Sequence, residues 1–297
     1  MDTKTYDSLE QAIREVYGEK IYIESKTPVS GGDINRAFVL KLSDGNSVFL
    51  KENSKRNISF FLAESHGLKA IRDTGCIRAP EVYAFGNYEN TAFLLMEYSH
   101  ETVRSPKFWE DFANALADMH EADTAILTPG GKYGFTEDNF IGAGDQKNEV
   151  KDNWIDFFRD CRLYPQFERA KSRLSSEDCN QMERILDGLD KYLIEPEHPS
   201  LLHGDLWGGN FITGKDSSAW LIDPAVYVGH PEADIAMTEL FGGFSGSFYR
   251  TYASRGLLQS GYEKRRDIYN LYHMLNHLNL FGSAYLGSVR RIIAGVR

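Results

Sequence analysis

Two aspartates and an asparagine stand at spacings that suit the transfer of a phosphoryl group. Asp205 follows the apolar pair Leu201 and Leu202, Asn210 lies five residues later, and Asp223 follows a second apolar stretch. Such a transfer needs a carboxylate at the acceptor hydroxyl and oxygen ligands for the magnesium ion that neutralises the phosphates. The sequence therefore predicts Asp205 as the general base and Asn210 and Asp223 as ligands of Mg²⁺.

The spacing of Asp205 and Asn210 is typical of the catalytic loop of kinases, in which a second aspartate ends a strand that returns beside the loop. Here residues 211–213 and 219–222 predict two short strands joined by a turn-rich segment. An ordinary Asp-Gly turn is the alternative for any one of these residues taken alone. The complete set with its hairpin favours a kinase, and His203 is expected to support the loop.

A lysine and a glutamate in the first hundred residues indicate a nucleotide site. Lys51 ends a predicted strand, where an exposed lysine would ordinarily belong to a solvated edge. Glu64 shares the apolar stripe of a helix predicted over residues 58–72, so its carboxylate needs a cationic partner. We expect Lys51 to be that partner, forming the lysine–glutamate pair that positions the phosphates of ATP in kinases.

Two further segments are candidates for contact with the nucleotide. Gly31, Gly32 and Asn35 lie where a phosphate-covering loop is expected, because glycines let backbone N–H groups approach phosphate oxygens. Two glycines also make an ordinary turn, which is the alternative. Glu97 and Tyr98 follow an apolar strand and are expected at a hinge, where backbone groups can hydrogen-bond adenine.

Three other residues have two interpretations each. Asp234 lies in the first turn of a predicted helix, where the helix dipole favours an acid. Its alternative role, which we favour, is to anchor the catalytic loop through the backbone N–H groups of that loop. Trp154 and Trp207 are tentative substrate-binding residues that could stack on the face of a sugar, and core packing is the alternative for both.

The elements that must position these residues fall into two regions. Residues 1–98 predict short strands, including a hairpin at Asp44-Gly45-Asn46, and one helix with a buried face. Residues 99–297 are mostly helical in pattern. We therefore expect an α+β, two-lobed, protein-kinase-like fold. It would have a small antiparallel-sheet N-terminal lobe that binds nucleotide and a larger, mostly helical C-terminal lobe that carries catalysis and the acceptor site.

Composition narrows the class of partner. The chain has 297 residues, with 33 Lys and Arg against 43 Asp and Glu, and a net charge of −10. This balance argues against binding of nucleic acid or of an anionic membrane. The first residues lack the pattern of a signal peptide, and no apolar stretch approaches the roughly 20 residues of a membrane span. A cytoplasmic protein is expected.

Several segments together resemble the fructosamine/ketosamine kinase family, and the resemblance runs from about residue 20 to residue 290. The segments that carry it are residues 30–35, 138–142, 203–210, 229–234 and 271–282, together with Trp154 and the residues after it. The resemblance implies an aminoglycoside-phosphotransferase-like kinase fold. It also implies ATP-dependent phosphorylation of the sugar 3-hydroxyl of ketosamines, after which the unstable product releases the amine. The implied acceptor is a small-molecule or protein-bound ribulosamine or fructosamine.

One segment departs from the family pattern. Residues 143–150 read Ala-Gly-Asp-Gln-Lys-Asn-Glu-Val, where the family leads us to expect a Pro-Gln-Pro-like sequence. We expect this segment to border the acceptor site, so the departure bears on acceptor choice. Two alternatives stay open: a kinase of the same fold for another small alcohol, of the aminoglycoside, choline or homoserine type, and a nucleotide-binding pseudokinase.

Overall fold

The computed structural model describes residues 4–29 and 35–296. It divides into two compact units, of which the first comprises Met1–Ser105 with Ile212–Asp223 and the second comprises Pro106–Phe211 with Pro224–Arg297. The first unit therefore extends beyond the expected boundary at Tyr98 and includes a segment from much later in the chain. Hydrogen bonds explain this inclusion, because the Thr102 N–H donates to the Thr213 carbonyl oxygen at 3.0 Å.

A six-stranded sheet forms the centre of the first unit. Its strands are β1 (Lys4–Tyr6), β2 (Ile23–Val29), β3 (Arg36–Leu42), β4 (Ser47–Ser54), β5 (Val82–Tyr88) and β6 (Thr91–Glu97). Their spatial order is β1-β5-β6-β4-β3-β2. All neighbouring pairs are antiparallel except β1 and β5, which run parallel. The antiparallel sheet predicted for this region thus gains a parallel strand at one edge.

The described part of this unit has two α-helices, α1 (Leu9–Tyr17) and α2 (Ile58–Asp73), where the sequence analysis expected only the second. The Ser8 hydroxyl caps α1 by accepting a hydrogen bond from the Gln11 N–H, and Gly18 ends it with a positive φ of 107°. The buried residues of α1 pack with the sheet residues Leu40, Leu42, Val48, Leu50, Phe93 and Leu95. This burial holds α1 in place.

Three further pairs of short strands occur among residues 35–296. They are β7 (Asn139–Ile141) with β8 (Gly144–Gln146), β9 (Ser200–Leu202) with β12 (Tyr227–Gly229), and β10 (Phe211–Thr213) with β11 (Ala219–Leu221). The pair β10–β11 is the predicted hairpin. In the first unit, Trp220 of β11 forms a parallel bridge with Arg78, and the Leu221 N–H donates to the Arg78 carbonyl oxygen at 2.8 Å.

Helices dominate the second unit, as predicted. They are α3 (Phe108–Glu121), α4 (Trp154–Phe158), α5 (Tyr164–Ala170), α6 (Ser176–Asp187), α7 (Glu232–Leu240), α8 (Gly246–Ser254), α9 (Tyr262–Phe281) and α10 (Leu286–Gly295). A π-helical turn, Arg159–Leu163, joins α4 to α5. Within residues 4–29 and 35–296, none of the helices combines the length and the apolar character that a membrane crossing requires.

A buried arginine organises part of the second unit. The Arg162 guanidinium lies 3.8 Å from the ring centre of Tyr227 and 4.7 Å from that of Phe157. It also donates hydrogen bonds to the Cys161 carbonyl oxygen at 2.9 Å and to Asn148 Oδ1 at 2.7 Å. These bonds compensate for burying the charge and fix the irregular chain around Asn148.

Candidate active site

The predicted catalytic loop joins β9 to β10 and turns sharply at Gly204. This glycine has φ of 81°, and a Cβ atom there would lie 2.0 Å from the Ala225 carbonyl oxygen. The Ala225 N–H in turn donates to the His203 carbonyl oxygen at 2.9 Å. Only glycine fits this position, because both its backbone conformation and the close approach of Ala225 exclude a side chain.

Asp234, in the first turn of α7, holds the backbone of this loop through its carboxylate. Its two oxygens accept hydrogen bonds from the backbone N–H groups of His203 at 2.7 Å and Gly204 at 2.9 Å. His120 Nε2 lies 3.2 Å from the same carboxylate, and His120 Nδ1 lies 2.6 Å from the Tyr252 hydroxyl oxygen. This is the anchoring contact that we favoured over a simple dipole role.

Electrostatics keep the buried Asp234 carboxylate ionised. Burial alone raises the pKa of a carboxyl group. The hydrogen bond with His120 and the one from the Gly204 N–H outweigh burial, so that the pKa of Asp234 lies below its ordinary value. The anchor is therefore a charged acceptor, which binds N–H donors more strongly than a neutral one.

Asp205 and Asn210 come together as their spacing predicted. The Asn210 side-chain amide N–H group donates to the Asp205 backbone oxygen at 2.8 Å and to Asp205 Oδ2 at 3.0 Å. His203 Nδ1 accepts a hydrogen bond from the Asp205 N–H at 3.2 Å, which supports the loop from within. Since the amide nitrogen of Asn210 is engaged, its amide oxygen is the atom suited to a metal ion.

The two candidate tryptophans of the acceptor site differ sharply. The Trp207 side chain is 38% exposed and packs edge-on against Phe241, with ring centres 6.0 Å apart. Trp154 is fully buried, and its ring lies 5.2 Å from that of Phe158 and 5.8 Å from that of Tyr133. The tentative assignment of Trp154 to sugar binding is therefore wrong, because core aromatics already cover its faces.

In the first unit, Lys51 and Glu64 form the predicted pair. Lys51 Nζ lies 2.6 Å from Glu64 Oε1, both side chains are about one-tenth exposed, and Lys51 also contacts the Asp223 carboxylate. Burial lowers the pKa of Lys51, but the two carboxylates outweigh it and raise the pKa above its ordinary value. The lysine is thus held as an ammonium group.

Asp223 follows β11 in a left-handed backbone conformation with φ of 53°. Such a conformation costs on the order of 1–3 kcal/mol for a residue other than glycine, and it persists where the surroundings fix it. The ion pair with Lys51 provides one such constraint. Its side chain stays 45% exposed, so the carboxylate can accept a ligand from solvent as well as the lysine.

The other predicted nucleotide contacts are less complete. Gly31 and Gly32 lie outside the described residues. Asn35 is described, and its Oδ1 accepts a hydrogen bond from Asn53 Nδ2 at 2.7 Å. Glu97 Oε1 lies 3.2 Å from Lys215 Nζ, whereas the ring of Tyr98 packs 4.7 Å from that of His100. The side chains of Asn35 and Glu97 are thus used within the first unit.

The segment that departs from the family pattern folds inward. Gln146 Nε2 donates to Asn139 Oδ1 at 2.7 Å and to the Ala225 carbonyl oxygen at 3.0 Å, and Gln146 Oε1 accepts from the Tyr272 hydroxyl at 2.6 Å. Gln146 therefore links the strand pair β7–β8 to helix α9. The segment acts first as a structural tie in the second unit.

Sequence reasoning missed two histidines of this site. His120, which contacts Asp234, lies in the last turn of α3 as a lone histidine with no motif around it. His273 lies on α9, and its Nδ1 is 4.0 Å from Asp205 Oδ1. For His273 a signal existed, since it belongs to one of the segments that carry the family resemblance.

Comparison with known proteins now decides the family. The model of the fructosamine kinase family matches residues 5–296. The chain belongs to the fructosamine kinase family. It is 39% identical over 280 residues to the chloroplastic protein-ribulosamine 3-kinase of Oryza sativa subsp. indica, covering 93% of this chain and 80% of the relative. Membership of the fructosamine kinase family makes the chain a kinase, as the catalytic loop predicted.

Solved structures confirm the kinase-like fold. A crystal structure from Haemophilus somnus described as a fructosamine-3-kinase superposes with a TM-score of 0.85 at 29% identity, covering 97% of this chain and 96% of that one. A macrolide 2'-phosphotransferase type I superposes with a TM-score of 0.60 at 15% identity, covering 96% and 94%. The second likeness concerns the fold alone.

Proposed function

We propose that the chain uses Mg²⁺ and ATP to phosphorylate the sugar 3-hydroxyl of ketosamines, with ribulosamine and fructosamine adducts as acceptors. The observation that carries the proposal is the loop in which Asn210 holds Asp205 and Asp234 anchors the backbone, in a member of the fructosamine kinase family. The acceptor amine is a small molecule or a protein side chain. The enzyme is proposed to act in the cytoplasm.

The chemistry of each candidate ligand suits magnesium. Asn210 offers an amide oxygen and Asp223 a half-exposed carboxylate. Mg²⁺ prefers oxygen ligands, and several of its coordination positions usually stay with phosphate and water. When bound, the ion would neutralise charge on the phosphates. Asn210 and Asp223 would therefore be its protein ligands.

The roles of the other residues follow from their surroundings. Lys51, fixed by Glu64, would hold phosphate oxygens of ATP with its ammonium group. The acceptor hydroxyl oxygen forms a bond to the γ-phosphorus as the bond to the ADP oxygen breaks, and the hydroxyl proton passes to Asp205. Trp207, next to Asp205 in the loop and partly exposed, would cover one face of the sugar.

The main competitor is a kinase of the same fold for another small alcohol. A net charge of −10 would suit a cationic antibiotic or choline as well as a ketosamine amine. The identity of 39% to a ribulosamine kinase, against 15% to the macrolide phosphotransferase, favours the ketosamine. A panel of these alcohols assayed with ATP separates the two.

The decisive experiment combines the parent with Asp205→Asn. The parent should phosphorylate a synthetic ribulosamine in an ATP-dependent reaction and release the amine, which reports transfer to the 3-hydroxyl. The variant should keep its affinity for ATP and acceptor within a few-fold but lose turnover by about a hundredfold or more, the range for removing a positioned general base. Because the amide is nearly isosteric, thermal unfolding should change little.

Two results would contradict the proposal. Phosphorylation at the parent rate by Asp205→Asn would show that Asp205 is not the general base. A parent that phosphorylates an aminoglycoside or choline but not the ribulosamine would assign the chain to the competing substrate class.

A further inference from the structure

His273 presents a buried polar atom toward the catalytic aspartate. The residue is 3% exposed, and among the described residues its Nδ1 has no hydrogen-bond partner. Nδ1 lies 4.0 Å from Asp205 Oδ1, which is too long for a direct hydrogen bond. Leaving a buried polar atom without a hydrogen-bond partner is unfavourable, so a group from outside the described chain is expected to meet it.

The ring is not an ion-pair partner of Asp205. Burial is the main cause that lowers the pKa of His273 to about 3; His277 and Arg162 act in the same direction and Asp234 opposes them, so the imidazole is neutral near pH 7. A neutral imidazole carries one donor and one acceptor nitrogen, and either tautomer can bond a hydroxyl group. Nδ1 is therefore suited to an uncharged hydroxyl.

The stretch of α9 that carries His273 is also held firmly. His277 Nδ1 lies 2.7 Å from the His273 carbonyl oxygen, one turn further along α9. The adjacent Tyr272 ring packs 5.0 Å from that of His273, and the Tyr272 hydroxyl is fixed by Gln146. A polar atom on a rigid helix, facing a fixed carboxylate oxygen, is suited to discriminate between substrates.

We propose that His273 Nδ1 binds a second hydroxyl group of the acceptor, next to the one that Asp205 activates, so that the site selects a vicinal diol. This inference rests on the proposed ketosamine kinase function. Asn210 occupies Asp205 Oδ2, and Oδ1 is the oxygen that faces His273. Neighbouring sugar hydroxyls in a gauche arrangement can span this gap, one oxygen at Asp205 and the other at His273. In the open-chain form of a ribulosamine phosphorylated at position 3, position 2 is a ketone, so the second hydroxyl is the one at position 4.

The test compares two acceptors in three proteins. Synthetic ribulosamine and its 4-deoxy analogue are assayed with the parent, His273→Leu and His273→Asn. The parent should prefer the full sugar by about tenfold or more in kcat/KM, because a site built to bind a hydroxyl rejects an analogue that lacks it. In His273→Leu this preference should fall to about one, while the KM for ATP stays unchanged. His273→Asn, which keeps a polar atom near the position of Nδ1, should recover part of the preference.

Each outcome decides the matter. A parent that uses both acceptors equally, or a leucine variant that loses activity equally on both, overturns the proposed contact and leaves His273 a structural residue. If His273→Leu does not fold, the parent comparison and His273→Asn still decide. A parent that phosphorylates neither ribulosamine overturns the proposed function itself, and this contact with it.

Discussion

Lys51 faces two carboxylates at once, those of Glu64 and Asp223. Replacing it by methionine keeps the aliphatic stem but leaves Glu64 buried without its cation. We expect Lys51→Met to lower kcat/KM for ATP by about a hundredfold or more, comparable to the loss of one preorganised donor in an active site. The free energy of unfolding should fall by up to about 3 kcal/mol, toward the lower end for breaking a buried pair.

Steady-state kinetics and urea unfolding check this prediction, with Lys51→Arg as the matched control. Arginine keeps the positive charge, so most of the stability should remain, although its planar group does not replace a lysine at phosphates. Parent turnover in Lys51→Met would show that the pair has no part in nucleotide use.

For single residues, the sequence predicted the contacts between side chains that lie close along the chain. Asp205 and Asn210 are in contact because a tight loop brings residues five positions apart close together. Glu64 needs a cation because it lies on an apolar stripe. His273 lies near Asp205 although 68 residues separate them in sequence, and His120 contacts Asp234 across 114 residues. No spacing rule reaches that far, since only the packing of α9 and α3 brings these side chains to the loop.

Helix α7 and the catalytic loop act as one element through Asp234. An asparagine at this position has the same shape but no charge, and one end of its amide would oppose a backbone N–H group. We expect Asp234→Asn to lower turnover at least tenfold and the free energy of unfolding by about 1–3 kcal/mol, the range for an unsatisfied buried donor. Thermal unfolding with steady-state kinetics measures both.

Asp267→Asn on α9 is the control for Asp234→Asn, because this aspartate is exposed and only weakly paired with Arg266 at 3.5 Å. It should change neither quantity beyond about 0.5 kcal/mol, the range for surface substitutions. Equal effects of the two substitutions would show that Asp234 has no special anchoring role.

Among whole elements, α1 has a clear helical pattern in the sequence, although it was not among the predicted helices. Leu9, Ala12, Ile13 and Val16 stand at helical spacing between the cap residue Ser8 and the terminator Gly18, which are the ordinary signals of a helix. The three-residue strands differ in kind. β9 pairs with β12 across residues that lie far apart in sequence, and so short a strand has no period to detect.

Across the whole molecule, stability should depend on buried neutral histidines. Burial is the main cause that lowers the pKa values of His230 and His273 to about 3, from an ordinary value of 6.5. Between these values the unfolded chain binds protons that the folded chain does not. Stability is therefore full above pH 6.5 and falls as the pH drops toward 3, by up to about 1.4 kcal/mol per pH unit for each histidine.

Urea unfolding at a series of pH values from about 7 to about 4 measures this dependence. His230→Asn should reduce the slope, whereas His100→Gln, at an exposed position of the first unit, should leave it unchanged. An identical slope in the parent and in His230→Asn would contradict the prediction.

The first unit is built from two separated stretches of chain, and this matters for recombination between relatives. A chimera with one crossover near residue 105 would join the strands of one parent to β11 and Asp223 of the other. Arg78 would then meet a foreign partner in place of Trp220, and Lys51 a foreign aspartate. Exchange of a whole unit therefore needs three junctions, near residues 105, 211 and 223. A single crossover cannot exchange one unit without dividing the other parent's contacts.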